Sequence, residues 1–200
     1  MKKRVTLMLL VLVALAAPAS AQQLFDFLGQ ANVPNAVGGT LEMYSIMANP
    51  APATTPIPLD FGTYEYTVVV TGLTLDVDGS TQTYSGGTVT IYEDNGTAAD
   101  YTDVSSFTDG AAILVGDLMV MTRTIFVPGL GSAAGTMDWT GGTRVDDIAP
   151  VDQLGWAFLS GISGSNVEPG FSERWDGKIE PQTPIVDVEN VLWGNLKAMY

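Results

Sequence analysis

The sequence contains no cysteine and no histidine among its 200 residues. Without cysteine the chain forms no disulfide, so its fold must be held by its core, by a metal or by assembly. Without histidine it has neither a Ser-His-Asp triad nor a histidine-ligated zinc site. Composition alone therefore excludes hydrolases and zinc enzymes of those classes.

Positive charge is also scarce. Lys and Arg number 8 against 22 Asp and Glu, which gives a formal net charge of −14. Nucleic acids and anionic lipid surfaces both repel a chain this acidic. We therefore expect no nucleic-acid partner, and no membrane partner once the N-terminal segment has been removed.

The one cluster of basic residues opens the chain and predicts an export signal. Residues 2–4 (KKR) precede an apolar run at residues 5–17, and residues 19–21 (ASA) fit a small-x-small cleavage pattern. The run is shorter than the roughly 18 apolar residues that a transmembrane helix needs. We expect cleavage near Ala21 rather than an uncleaved anchor. Cleavage would change the net charge from −14 to −17. The predicted localisation is secreted, periplasmic or cell-envelope.

Turn signals recur between short runs of Thr, Val and aromatic residues, a pattern typical of all-β proteins. We predict one antiparallel β-sandwich, jelly-roll-like fold or barrel of about eight strands over residues 22–180. The strongest run, residues 61–77, alternates apolar and polar residues until its parity changes at Gly72. This change predicts a β-bulge there. Residues 22–38 are expected to be loose, with at most a short helical turn.

Residues 181–200 change from the period of a strand to that of a helix. Pro181 and Pro184 end the sheet pattern, and the apolar residues that follow fit one helical face. We predict a linker and a short C-terminal helix that packs on the β domain.

Two acidic stretches raise the question of calcium. Asp76 and Asp78 resemble the start of a calcium loop, but no Glu closes it, so we interpret them as turn residues. The better candidates lie within eleven residues on a glycine-containing loop, where carboxylate and backbone oxygens suit calcium. These candidate metal ligands are Glu93, Asp94, Asp100 and Asp103. The alternative is a solvated acidic loop that keeps an exported protein soluble.

The tryptophans suggest a second kind of site. Trp139 and Trp175 lie beside turns and acidic residues, and exposed indoles stack on sugar rings. They are the candidate ligand-binding residues. Trp156 shares a face with Leu154 and Phe158 and is predicted to be core. Carboxylates near tryptophans also occur in glycoside hydrolases.

The sequence thus predicts an exported, non-enzymatic extracellular or cell-envelope β module with a structural or binding role. Its expected partner is a carbohydrate or another envelope protein, and calcium is the only candidate cofactor. The first alternative is a carbohydrate-binding or calcium-stabilised adhesion module. The remaining, less favoured alternatives are a carboxylate-based glycoside hydrolase and a small outer-membrane β-barrel. The terminal Tyr200 favours the barrel in part.

Overall fold

The computed structural model describes residues 23–182, in which eight antiparallel strands close into a barrel. The strands are β1 Phe25–Asn32, β2 Thr40–Ala48, β3 Glu65–Val77, β4 Thr81–Asp94, β5 Ala111–Val127, β6 Leu130–Gly141, β7 Trp156–Ser163 and β8 Glu173–Glu180. Three short 3-10 turns interrupt the loops at Val104–Phe107, Val145–Asp147 and Pro150–Asp152. None of these helical turns in residues 23–182 is long or apolar enough to cross a membrane. The predicted all-β fold of about eight strands is confirmed, and a barrel is the form it takes.

Each strand pairs with the next one in the chain, and β8 returns to pair with β1. Closure runs from Phe25 opposite Ile179 to Ala31 opposite Glu173. This up-and-down order leaves the sheet without a free edge. The expectation of a loose segment with a helical turn at residues 22–38 was wrong over β1, because its alternate residues bury themselves in the barrel.

The barrel interior is filled by side chains that alternate with outward-facing residues along every strand. Eight strands make a barrel just wide enough for its own side chains. One buried cluster takes members from all eight strands, among them Phe25, Leu41, Val68, Tyr84, Leu118, Met137, Phe158 and Trp175. The packing is close enough that a Cβ added at Gly177 would clash with the carbonyl oxygen of Leu159 and lie 2.6 Å from Phe27 Cζ.

The predicted β-bulge at Gly72 is confirmed. Leu41 pairs with Leu73 whereas Met43 pairs with Val70, so β3 holds one extra residue at this point. Gly72 has a φ of +75°, a conformation that glycine adopts without strain. The extra residue keeps the apolar side chains of β3 pointing inward on both sides of the parity change.

The barrel has two different ends. The hairpin end carries the short connections at residues 33–39, 78–80 and 128–129 and the connection at residues 164–172. The loop end carries the longer connections at residues 49–64, 95–110 and 142–155. The predicted signal peptide and the predicted C-terminal helix lie outside the described residues.

The loop at residues 95–110 folds back over the outer wall of the barrel. Phe107 of this loop is buried, with its ring centroid 5.7 Å from that of Tyr44 on β2. Tyr101 lies 4.9 Å from Phe107 and 5.6 Å from Phe171, again between ring centroids. An aromatic cluster therefore fixes this loop against the strands.

Candidate functional site

Two of the four predicted calcium ligands lie at the end of β4, where their carboxylates already accept hydrogen bonds. Asp94 Oδ2 accepts the backbone N–H of Gly96 at 3.0 Å and that of Thr97 at 2.9 Å. Glu93 Oε2 accepts the hydroxyl of Tyr66 at 2.8 Å. These contacts close a turn and tie β4 to β3, which explains both carboxylates without a metal.

The other two predicted ligands, Asp100 and Asp103, stabilise their own loop. Asp100 Oδ1 accepts the backbone N–H of Thr102 at 2.8 Å, and this bond holds the pKa of Asp100 below its usual value. Asp103 caps a 3-10 turn by accepting the backbone N–H of Ser105 at 3.1 Å. Within residues 23–182 no three acidic residues are grouped so that they could hold a metal ion. The calcium site stays a prediction, and the structure does not bring its four ligands together.

Trp139 and Trp175 are buried inside the barrel, with 2% and 0% of their surface exposed. Trp139 packs edge-on against Phe25 and Trp156, with ring centroids 6.0 and 5.6 Å apart. Trp175 donates its indole N–H to Glu173 Oε2 at 3.1 Å. Their burial counts against a sugar-stacking platform, because neither ring face is open to solvent. Trp156 is 2% exposed, which confirms its predicted place in the core.

The outer wall carries a shallow groove of about 440 Å³ that sequence reasoning did not identify. Its lining combines small or apolar residues with two carboxylates and one amine: Ser132, Ala134, Leu159, Gly161, Asp26, Asp176 and Lys178. Burial, and the neighbouring charge of Asp176, raise the pKa of Asp26 above its usual value. The two carboxylates come from β1 and β8, which meet only because the barrel closes. Their proximity could not be inferred without the closure register.

Five of the eleven large apolar side chains that are exposed in residues 23–182 lie at the hairpin end, and we call this set the apolar rim. It comprises Val37, Val77, Phe126, Val127 and Leu130. Phe126 is 66% exposed and Leu130 is 53% exposed, although both belong to the β5–β6 hairpin. Exposed apolar residues scattered singly are normal on proteins, whereas a group of them marks a surface for interaction.

The connections at the hairpin end are fixed by backbone hydrogen bonds to neighbouring strands and to one another. Gly38 N–H donates to Leu75 O of β3 at 2.8 Å, Ile125 N–H of β5 donates to Ser80 O at 2.8 Å, and Gly164 N–H donates to Gly129 O at 2.7 Å. The rim is therefore preorganised, and a binding partner would lose little free energy to ordering it.

A buried polar network lies beneath the rim and is centred on Arg123. Arg123 is 7% exposed, and its guanidinium forms a bidentate ion pair with Glu173, through Nη2 to Oε1 and through Nε to Oε2 at 3.1 Å. Its Nη1 donates to Gln82 Oε1 at 2.6 Å. Since β5 and β8 are not neighbours in the sheet, the pair spans the barrel interior.

Further side chains extend this network to the β3–β4 turn. Tyr84 donates its hydroxyl to Gln82 Oε1 at 2.7 Å, and Gln82 Nε2 donates to Asp78 Oδ1 at 2.7 Å. Burial raises the pKa of Tyr84 to about 12, so the phenol keeps the proton that it donates. The hydrogen bond from Gln82 holds the pKa of Asp78 below its usual value. The network thus connects the interior of the barrel to a turn that supports the rim.

Comparison of this chain with protein-family models, with curated proteins and with solved structures finds no match. The function must therefore be inferred from the geometry of the barrel itself.

Proposed function

We propose that this protein is an exported, non-enzymatic β-barrel module that binds a partner through the apolar rim. The observation that carries the proposal is the collection of exposed apolar side chains, led by Phe126 and Leu130, at one preorganised end of the barrel. The N-terminal signal pattern of residues 2–21 supports export to the cell envelope or beyond.

The packed interior supports binding at the surface rather than inside the barrel. In barrels that hold a ligand, the cavity replaces interior side chains. Here the largest fully buried residues include three tryptophans, Trp139, Trp156 and Trp175, which occupy that space. A partner would therefore meet the outside of the barrel or one of its ends.

The outer wall supports a barrel that faces water rather than lipid. On β8 the outward residues are Arg174, Asp176, Lys178 and Glu180, which alternate with the inward Trp175 and Ile179. A lipid-facing barrel carries the opposite pattern, and an Arg or Lys facing the bilayer midplane costs about 2–4 kcal/mol. The charged outer face of β8 therefore favours the proposal over the outer-membrane alternative.

A pair of variants tests the proposal. The rim variant carries Phe126→Ser and Leu130→Ser. The control variant carries Val151→Ser and Leu154→Ser, which make the same chemical change at exposed residues of the loop end. Each exported protein would be recovered from the producing cells under gentle conditions and sized by exclusion chromatography with light scattering.

We expect the wild-type and control proteins to elute in a complex larger than the free mature chain, whose mass is below the 21.1 kDa of all 200 residues. The rim variant should elute at the mass of the free chain. Identical masses for all three proteins, whether free or bound, would refute binding through the rim.

A further inference from the structure

We propose that the partner of the apolar rim is an apolar protein segment that carries lysine or arginine at its edges. This inference rests on the proposed function, since it names the chemistry that the same surface would recognise. Its basis is the charge beside Val77 of the rim.

The exposed charges beside the rim are negative. Asp76 directly precedes Val77 in β3, and Asp78 follows in the β3–β4 turn, and both side chains are exposed. Glu168 is also exposed, in the connection at residues 164–172, and its charge acts on Tyr101. A partner that covers the apolar side chains must bring its own margin close to Asp76 and Asp78, where cationic groups are favoured.

Arg123 offsets one of these carboxylates in part, because the pKa of Asp78 is lowered first by the hydrogen bond from Gln82 and also by the charge of Arg123. Arg123 is buried and fully engaged by Glu173 and Gln82. Arg174 is only half-buried, but it lies on the outer wall at the start of β8, away from the β3–β4 turn. The exposed charges that flank Val77 of the rim are therefore acidic.

The same charges argue against two other occupants. A second copy would place Asp76 and Asp78 against their counterparts, in a chain whose net charge is −14. A lipid surface would have to accept Asp76 and Asp78 near the headgroup and acyl boundary as the rim residues inserted, at a cost in desolvation. A segment with basic residues at its edges gains from the same carboxylates instead.

The size of the rim predicts the form of the interaction. A few large side chains carry most of the affinity at protein interfaces, and Phe126 is the largest exposed side chain of the rim. Since the connections are already fixed to one another, little ordering is required on binding. A short segment that covers Phe126, Val127 and Leu130 should therefore suffice for measurable binding.

The test is a selection of random peptides displayed on phage for binding to the immobilised exported protein. Phage that also bind the rim variant are removed before each round. Enriched peptides are synthesised and their dissociation constants are measured at low and high salt. The proteins compared are the wild type, the rim variant, the control variant and a charge variant. The charge variant carries Asp76→Asn and Asp78→Asn, which keep an acceptor oxygen at both positions and remove both charges.

The enriched peptides should combine aromatic or aliphatic residues with flanking Lys or Arg. The rim variant should weaken their binding about tenfold or more. The control variant should leave binding unchanged. The charge variant should bind several-fold more weakly and should lose most of the dependence on salt. Enriched peptides without basic residues, or equal binding by the charge variant, would overturn the inference.

Two parallel measurements separate this inference from the proposed function. Phosphatidylcholine vesicles test lipid binding, and sedimentation equilibrium of the protein alone tests self-association. Binding to vesicles or self-association that the rim variant abolishes would overturn the basic partner and keep the rim as a binding surface. If the wild type and the rim variant behave alike in every measurement, including selection, both proposals fail.

Discussion

Arg123→Met removes a guanidinium that bonds two side chains directly and links three more through one intermediate: Glu173 and Gln82, then Trp175, Tyr84 and Asp78. It leaves the Glu173 carboxylate in the barrel interior with the indole N–H of Trp175 as its remaining partner in the network. It also leaves Gln82 Oε1 with the hydroxyl of Tyr84 alone. Breaking a buried ion pair on one side costs about 3–5 kcal/mol, because the other charge stays buried without compensation.

The magnitude should lie at the lower end of that range. The side chains of Arg123 and Glu173 are 9% and 12% exposed, so some water reaches the charge that is left. We expect Arg123→Met to lower the free energy of unfolding by about 3 kcal/mol. Urea unfolding at neutral pH, followed by tryptophan fluorescence, should show a midpoint about 1 M lower. Lys178→Met is the matched control, because it breaks a partly exposed pair with Glu180 at 2.9 Å on the outer wall and should cost less than about 1 kcal/mol.

A double-mutant cycle tests the reasoning more strictly. Glu173→Met alone should cost about as much as Arg123→Met, whereas the double variant should cost far less than the two together. The expected coupling energy is about 2 kcal/mol. Additive effects to within about 0.5 kcal/mol would show that the two side chains do not act as a pair, and would refute the proposed support of the rim.

Three further predictions concern the acidic groups and the packing. The pKa of Asp26 is raised in the folded state, so ionisation of this carboxyl group opposes folding. Asp26→Asn should therefore raise Tm at pH 7 by about 2–4 °C at most, whereas Asp146→Asn, at an exposed position, should not. This gain should disappear as the pH falls below the unfolded-state pKa of 3.8, where Asp26 is protonated in both states; a gain that persists there would contradict the electrostatic cause. Gly177→Ala, whose Cβ has no room, should cost about 1–3 kcal/mol in urea unfolding, whereas Gly161→Ala, with its nearest contact at 3.7 Å, should be tolerated. Carboxylates at residues 93–103 accept backbone hydrogen bonds in turns, so Tm should be equal in millimolar calcium and in excess EDTA. A rise in Tm of several degrees in calcium would contradict this expectation and support the predicted calcium site.

Local patterns in the sequence were enough to predict most of the strands but not their closure. The parity change at Gly72 predicted its bulge, because alternation is a property of one strand. The segment that became β1 was missed because Gly29 and Ala31 occupy two of its four inward positions, where the hydrophobic signal is weak. Closure of β1 on β8 depends on residues about 150 positions apart, and local periodicity carries no information about it.

The candidate site could not be predicted from the sequence, for a related physical reason. Trp139 and Met137 share the inward face of β6. The sequence does not show which face of this strand points inward, because its glycine and alanine residues obscure the alternation of apolar and polar side chains. The Arg123 and Glu173 side chains meet across the barrel interior, so their pairing follows from closure and not from spacing. The exposure of Phe126 follows from the length of β5 beyond its neighbour β4, which only the pairing register reveals.

Site-specific photo-crosslinking in the producing cells tests the central claim most directly. A photoreactive phenylalanine analogue would replace Phe126 at the hairpin end or, in a second strain, Val151 at the loop end, where the side chain is 84% exposed. Irradiation should give a discrete higher-mass adduct from position 126 and none from position 151. Adducts from both positions alike, or from position 151 alone, would contradict the assignment of the apolar rim as the binding surface.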